Sequence, residues 1–220
     1  MSDDPSLRYD LGRFIDSPRN CSRRAASAPA HAPRPRHLGP IKQLPARSAT
    51  ERAATIYAPE DALRLNALTR HLQGRLQPHL SRRCTHLRGH GGRHGAVRQI
   101  HDAIHRGTHR YVFRTDVKGY YDAIDPDILM DQLRPHVHER QGRALLSQYL
   151  HRCVHRDGVF RRIDFGIPTG CALSPLMAAL YLTPLDRAME SLEPSGVFYV
   201  RYLDDLIILA PNRYKLRQAI

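Results

Sequence analysis

Cysteine is scarce in this chain and carries no pattern. Its 220 residues hold four, Cys21, Cys84, Cys153 and Cys171, far apart and without a C-x-x-C pair. That spacing argues against a disulfide framework or a zinc ribbon, and a reducing, cytoplasmic setting is expected. Long apolar runs are missing as well. None approaches the roughly 20 residues of a membrane span, and the start has no signal-peptide pattern, so a soluble protein without a membrane partner is expected. No internal repeat is present, which excludes a solenoid. Acidic charge is also in short supply: 21 Asp+Glu stand against 34 Lys+Arg, a formal net charge of +13, and only three of those cations are lysine.

What is abundant is arginine, whose planar fork suits phosphate oxygens, so a polyanionic partner is indicated. The charge is unevenly spread. Residues 1–56 carry 10 basic and 5 acidic side chains, 57–115 carry 11 and 3, and 116–220 carry 13 of each. The positive field therefore lies just ahead of an electrically balanced half that holds most of the acids. Residues 1–55 are rich in Ala, Pro, Arg and Ser with no sustained apolar period, and are expected to be a disordered or loosely ordered arm. A folded domain is expected over 56–220.

Within that domain Pro59, Glu60 and Asp61 suit a helix start, Leu65, Leu68, Leu72 and Leu76 form one apolar stripe, and Pro78 stops it. A Gly- and His-rich loop, 87–95, precedes a second expected helix, suggested by Val97, Ile100 and Ile104, with Gly107 at its end. "RYVFRTDV" reads as a strand ending at Asp116, and "DPDILMDQL" as a helix with Asp125 as N-cap and Pro126 in its first turn. A hairpin is expected around Asp157-Gly158, and a helix after Ser174 and Pro175 with a kink at Pro184. Hairpins and helices without βαβ alternation predict an α+β fold, an antiparallel sheet with helices on one face.

"VFYVRYLDDLIILAP" (197–211) is a strand-forming run interrupted by Asp204 and Asp205. The pair is consistent with an ordinary turn between two strands. The other reading is a hard divalent cation, which would relieve the repulsion between adjacent carboxylates, although the pair taken alone favours the turn. Histidines at spacings of four, His86, His90 and His94, then His101, His105 and His109, could make a metal face on a helix. The first three straddle glycines and no acid or Cys is fixed nearby, so a basic, partly protonated surface is expected.

Three blocks stand in a set order: "TDVKGYYDAID" (115–125), "GIPTGCALSPLMAALYL" (166–182) and "RYLDDLIIL" (201–209). In that order they resemble motifs A, B and C of the reverse transcriptase palm, most closely the group II intron type and its bacterial relatives. "HLRGHGGRHGAVRQIHDAI" (86–104) is similar to the fingers block ahead of motif A, and the resemblance covers roughly residues 58–215. It implies an RNA-directed DNA polymerase working with two Mg²⁺ ions, replaceable by Mn²⁺, on an RNA template, a DNA or RNA primer and deoxynucleoside triphosphates. Asp116 and Asp204 would be the principal metal ligands, the Val117 carbonyl a further one, and Asp205 would complete the acidic cluster. Tyr121 falls where the family places an aromatic gate under the incoming sugar, leaving Tyr120, its opposite neighbour on a strand, to packing. Pro168, Thr169 and Gly170 would meet the nucleotide or template. Arg88, Arg93 and Arg98 are assigned to nucleic-acid backbone on charge alone.

Thr169 stands where the family often has Gln, so contacts there are expected to differ. Asp122 is shared in spirit with RNA-dependent RNA polymerases, one alternative reading, but the Tyr-Leu-Asp-Asp form favours DNA synthesis. Fifteen residues follow Asp205, whereas members of the family continue into more palm and a helical thumb. The expectation is therefore an incomplete fingers and palm portion without a thumb; a non-catalytic RNA-binding remnant is the other alternative.

Overall fold

The computed structural model describes residues 37–39, 41–43, 55–156 and 159–220. In chain order its elements are β1 (Ile41–Gln43), β2 (Thr55–Ile56), α1 (Pro59–Leu76), α2 (Gly92–His105), β3 (Tyr111–Asp116), α3 (Tyr120–Ala123), α4 (Pro126–Leu133), α5 (Arg140–Leu150), β4 (Cys153–Arg156), β5 (Val159–Arg162), α6 (Ser174–Tyr181), α7 (Thr183–Glu190), β6 (Phe198–Tyr202), β7 (Asp205–Ala210) and α8 (Arg213–Ala219). They fall into two compact units. Among the described residues no helix is long and apolar enough to cross a membrane.

One unit takes the residues up to Arg75 together with Asp125–Ser174. In α1 the leucine stripe is buried, Leu65 at 1% exposure and Leu68 and Leu72 at 0%. Helix α4 starts as its sequence dictates: Asp125 Oδ1 accepts the amides of Asp127 (2.8 Å) and Ile128 (3.3 Å), and Pro126 occupies the first turn. Arg75 Nη2 reaches Glu139 at 2.6 Å, joining the end of α1 to the start of α5. The unit's sheet has the order β2-β1-β4-β5. Within the stretch expected to be a loose arm, Ile41–Gln43 is thus a strand, running parallel to β4 with a buried Ile41 beside a buried Val154. Most of that arm, and the Asp157-Gly158 turn of the β4–β5 hairpin, lie outside the described residues.

The other unit, Leu76–Ile124 with Pro175–Ile220, is built on an antiparallel sheet of order β3-β7-β6. Because side chains alternate along a strand, its central hairpin feeds two cores. Phe198, Val200, Ile207 and Leu209 pack on Ala96, Ile100 and Ala103 of α2. Val197, Tyr199, Leu206 and Ile208 pack on Leu185 and Met189 of α7, Leu192, and Leu216 and Ala219 of α8. The mixed α+β architecture stands, but helices cover both faces of this sheet rather than one. Two further features are set by packing and by proline. Helix α2 starts at Gly92 and turns Ala96 and Ala103 inward, leaving Val97 and Ile104 at 60% and 48% exposure; small side chains let the helix lie close to the sheet. The helix after the 166–173 loop is two helices, divided at Leu182 with Pro184 in the first turn of α7.

Candidate active site

Strand β3 ends where the antiparallel β7 begins, with Asp116 directly opposite Asp205. Tyr202 pairs with Asp205 on the other flank, which leaves Leu203 and Asp204 as a two-residue turn. The Val117 amide donates to the Asp204 carbonyl at 3.3 Å, so the backbone gathers Asp116, Val117, Asp204 and Asp205 at one end of the sheet. Asp116 is exposed, and Val117, Asp204 and Asp205 are half-buried. Leu203 has φ 57° and is the one non-glycine residue in left-handed backbone among those described. Such a conformation persists only where neighbours over-determine it.

Those neighbours are Arg201 and His86. The guanidinium of Arg201 is fully buried, and its Nη1 donates to the Leu203 carbonyl at 2.8 Å. It is held from behind by Asp186, with Nε to Oδ1 at 2.9 Å and Nη2 to Oδ2 at 2.6 Å, while Tyr199 donates its hydroxyl to the same Oδ1 at 2.7 Å. Burial works against the charge on Arg201, but the hydrogen bond and charge of Asp186 outweigh it and raise the guanidinium further above its ordinary value. Burial and the Asp186 charge likewise push the Tyr199 phenol up. His86 accepts the Leu203 amide at Nδ1 (3.2 Å), and burial lowers its imidazole below the ordinary histidine value. Neither Arg201 nor Asp186 was marked out by sequence reasoning, because an arginine in a basic chain gives no local sign of being buried. His86 departs from the basic, partly protonated surface expected of the histidines: burial and its bond to a peptide N–H keep it neutral. No group of three His, Cys, Asp or Glu is arranged to hold a metal among the described residues.

The remaining sequence-assigned residues divide between the two units. Tyr120 and Tyr121 lie on α3, a single helical turn, and not on a strand as expected. Tyr120 is buried and donates to the Ala178 carbonyl at 2.5 Å, whereas Tyr121 is half-buried and Asp122 exposed. Arg88, Arg93 and Arg98 are exposed in the same unit, and the Arg93 guanidinium stands 5.9 Å from the centre of the Tyr202 ring. Pro168, Thr169 and Gly170 belong to the other unit. There Pro168 is buried and its carbonyl accepts from Ser174 Oγ at 2.5 Å; Ser174 also meets the Tyr149 hydroxyl at 2.7 Å. The Ser174 side chain therefore ties the loop to the start of α6. Thr169 is half-buried and Gly170 exposed at φ 84°. Cys84, Cys153 and Cys171 are free thiols, and Cys21 lies outside the described residues.

The donors at the end of β3 and β7 are hard oxygens, which suit Mg²⁺ or Mn²⁺ and not a soft metal. Their backbones are brought together while their side chains are not closed around a point: Asp205 Oδ1 accepts from Arg114 Nη2 at 3.1 Å. By donor chemistry and backbone placement these residues fit a divalent ion that would complete the arrangement itself.

Residues 62–220 match the family model described as reverse transcriptase (RNA-dependent DNA polymerase). Protein YkfC of Escherichia coli (strain K12) is 28% identical over 88 residues, which is 40% of this chain and 23% of that protein. Among solved structures, telomerase from Candida albicans in complex with a fragment of telomeric RNA superposes with a TM-score of 0.61 at 13% identity, over 83% of this chain and 39% of that one. Apo telomerase from Candida tropicalis, truncated from its C-terminal domain, gives 0.55 at 15% identity, over 82% and 45%. These structures share the fold, and the chain spans less than half the length of each relative.

Proposed function

The chain belongs to the reverse transcriptase family, and from that premise we propose that it forms the fingers and palm of an RNA-directed DNA polymerase of the group II intron-like bacterial type, working in the cytoplasm. The observation that carries this reading is the braced Tyr202–Asp205 turn set directly against Asp116. Asp116 and Asp204, with the Val117 carbonyl and Asp205 beside them, would hold divalent metal. When bound, the metal supplies charge neutralisation and orientation of the oxygens in nucleotidyl transfer.

The chain's own residues do the rest by positioning. The half-buried ring of Tyr121 takes the place of a 2′-hydroxyl and so selects deoxynucleotides. Thr169 and Gly170, in a loop held by the bond from Ser174 to the Pro168 carbonyl, present close backbone to the nucleotide or template. Arg88, Arg93 and Arg98 hold primer or template phosphates in a salt-sensitive way.

The test is primer extension on an RNA template with a DNA primer, using the chain alone and joined to the thumb region of a relative. Deoxynucleotide addition that needs Mg²⁺ or Mn²⁺ and is abolished by Asp204→Asn is expected, with Tyr121→Ala admitting ribonucleotides. Preference for ribonucleotides in the unaltered chain would point to an RNA polymerase. RNA binding with no extension in either form would point to a non-catalytic remnant.

A further inference from the structure

Leu203 is strained where it stands, at φ 57°, and both polar groups of its backbone are tied by side chains, one buried (Arg201) and one half-buried (His86). Arg201 holds the carbonyl from one side and His86 the amide from the other. The two braces differ in kind. Arg201 is charged in every condition and can only donate. His86 can donate or accept at either nitrogen, so its hold depends on which nitrogen carries the proton.

Its neighbours leave one choice. A peptide amide only donates and a carbonyl only accepts, so Nδ1 must offer a lone pair to Leu203, and Nε2 must carry the proton that goes to the Pro175 carbonyl at 3.0 Å. The Cys84 sulfur lies 3.4 Å from the same Nδ1. Burial pushes that thiol up to about 12, so it keeps its proton and is able to donate to the same lone pair. The ring is further aligned by the edge of Tyr202, with centroids 6.1 Å apart.

We propose that His86 is a positioning residue for the acidic turn: through Nδ1 it holds the amide of Leu203 in left-handed backbone, and so sets where Asp204 and Asp205 stand. Its importance to chemistry rests on the polymerase reading above, but the contact itself is tested without it. His86 acts on the site through the Leu203 amide.

Three variants separate this role from simple filling of the core. His86→Phe keeps an aromatic ring and removes the acceptor. His86→Asn keeps an acceptor close to the position of Nδ1. In His86→Phe combined with Leu203→Gly, the strain that the acceptor opposes is removed, because glycine adopts positive φ freely. The measurements are hydrogen exchange at the Leu203 amide, imidazole nitrogen NMR of the unaltered chain, and titration with Mn²⁺. Exchange should quicken about tenfold in His86→Phe, the loss of roughly one hydrogen bond, and return towards the original in His86→Asn. Mn²⁺ affinity should fall about tenfold in His86→Phe and recover in the double variant; recovery is not expected if His86 only fills space. An unchanged Leu203 amide in His86→Phe, or a proton on Nδ1 in the unaltered chain, overturns the proposal. Should the unaltered chain fail to bind Mn²⁺, the metal reading falls, and exchange still decides the role of His86. Should His86→Phe not fold, the imidazole spectrum decides: an Nε2 proton beside a protected Leu203 amide supports the proposal.

Discussion

Arg201 and Arg114 each meet an aspartate: Arg201, on one edge strand (β6) of a three-stranded sheet, meets Asp186 of α7, and Arg114, on the other edge strand (β3), meets Asp205 of the central β7. Arg201 Nη2 lies 2.6 Å from Asp186 Oδ2 with both side chains almost wholly buried, at 0% and 1% exposure. Arg114 Nη2 lies 3.1 Å from Asp205 Oδ1 with the two at 72% and 48%. In the first pair the cost of desolvation is offset by a two-point contact, by the Tyr199 hydroxyl and by carbonyls that take two further guanidinium protons. It fixes backbone. In the second pair water screens the charges and either partner can leave at little cost. The end of the sheet is therefore rigid beneath the turn and open at the carboxylates, which suits a site that must place ligands accurately and still exchange an ion.

The contrast breaks most sharply from the buried side. Asp186→Ala strands the Arg201 charge and should lower stability by about 3–5 kcal/mol, read by chemical denaturation. Tyr199→Phe removes one hydrogen bond to that carboxylate and should cost about 1.5–3 kcal/mol. His86 sharpens the comparison through pH. Its neighbours are Cys84, His90, Arg201, Asp186 and the Pro175 carbonyl, and burial holds it below 6.5, the ordinary histidine value. As pH falls through that value the unfolded chain takes up a proton that the folded chain refuses. Stability present above it is then lost, until the folded ring protonates as well. Denaturation at about pH 7.5 and about pH 5.5 should show that loss, and His86→Asn should reduce it. On the exposed side, Arg114→Ala should change stability by less than about 1 kcal/mol.

Much of this architecture is written locally. The Leu65 to Leu76 stripe, the Asp125-Pro126 start of α4 and the strand–turn–strand around Asp204 each follow from period, cap or turn chemistry within a few residues. What escapes local reading depends on distant partners. The strand Ile41–Gln43 is three residues long and exists by pairing with β4, more than a hundred residues on. The inward face of α2 is chosen by how closely a helix can lie on the sheet, so alanines displace the larger Val97 and Ile104. At the site, the aspartates and their spacing are visible in the sequence. Arg201, Asp186 and His86 are not, since only the fold brings residues 86, 186 and 201 to one turn.

A titration with Mg²⁺ or Mn²⁺ of the unaltered chain, Asp116→Asn, Asp204→Asn and Asp122→Asn tests the account most directly, because it asks whether the braced end of the sheet is a metal site at all. Asp116 and Asp204 are joined through the Val117 amide and the Asp204 carbonyl, whereas Asp122 is exposed on α3. The account predicts affinity about tenfold or more weaker in the first two variants, from the loss of a charged ligand, and little change in the third. Equal affinity in all four proteins would contradict it.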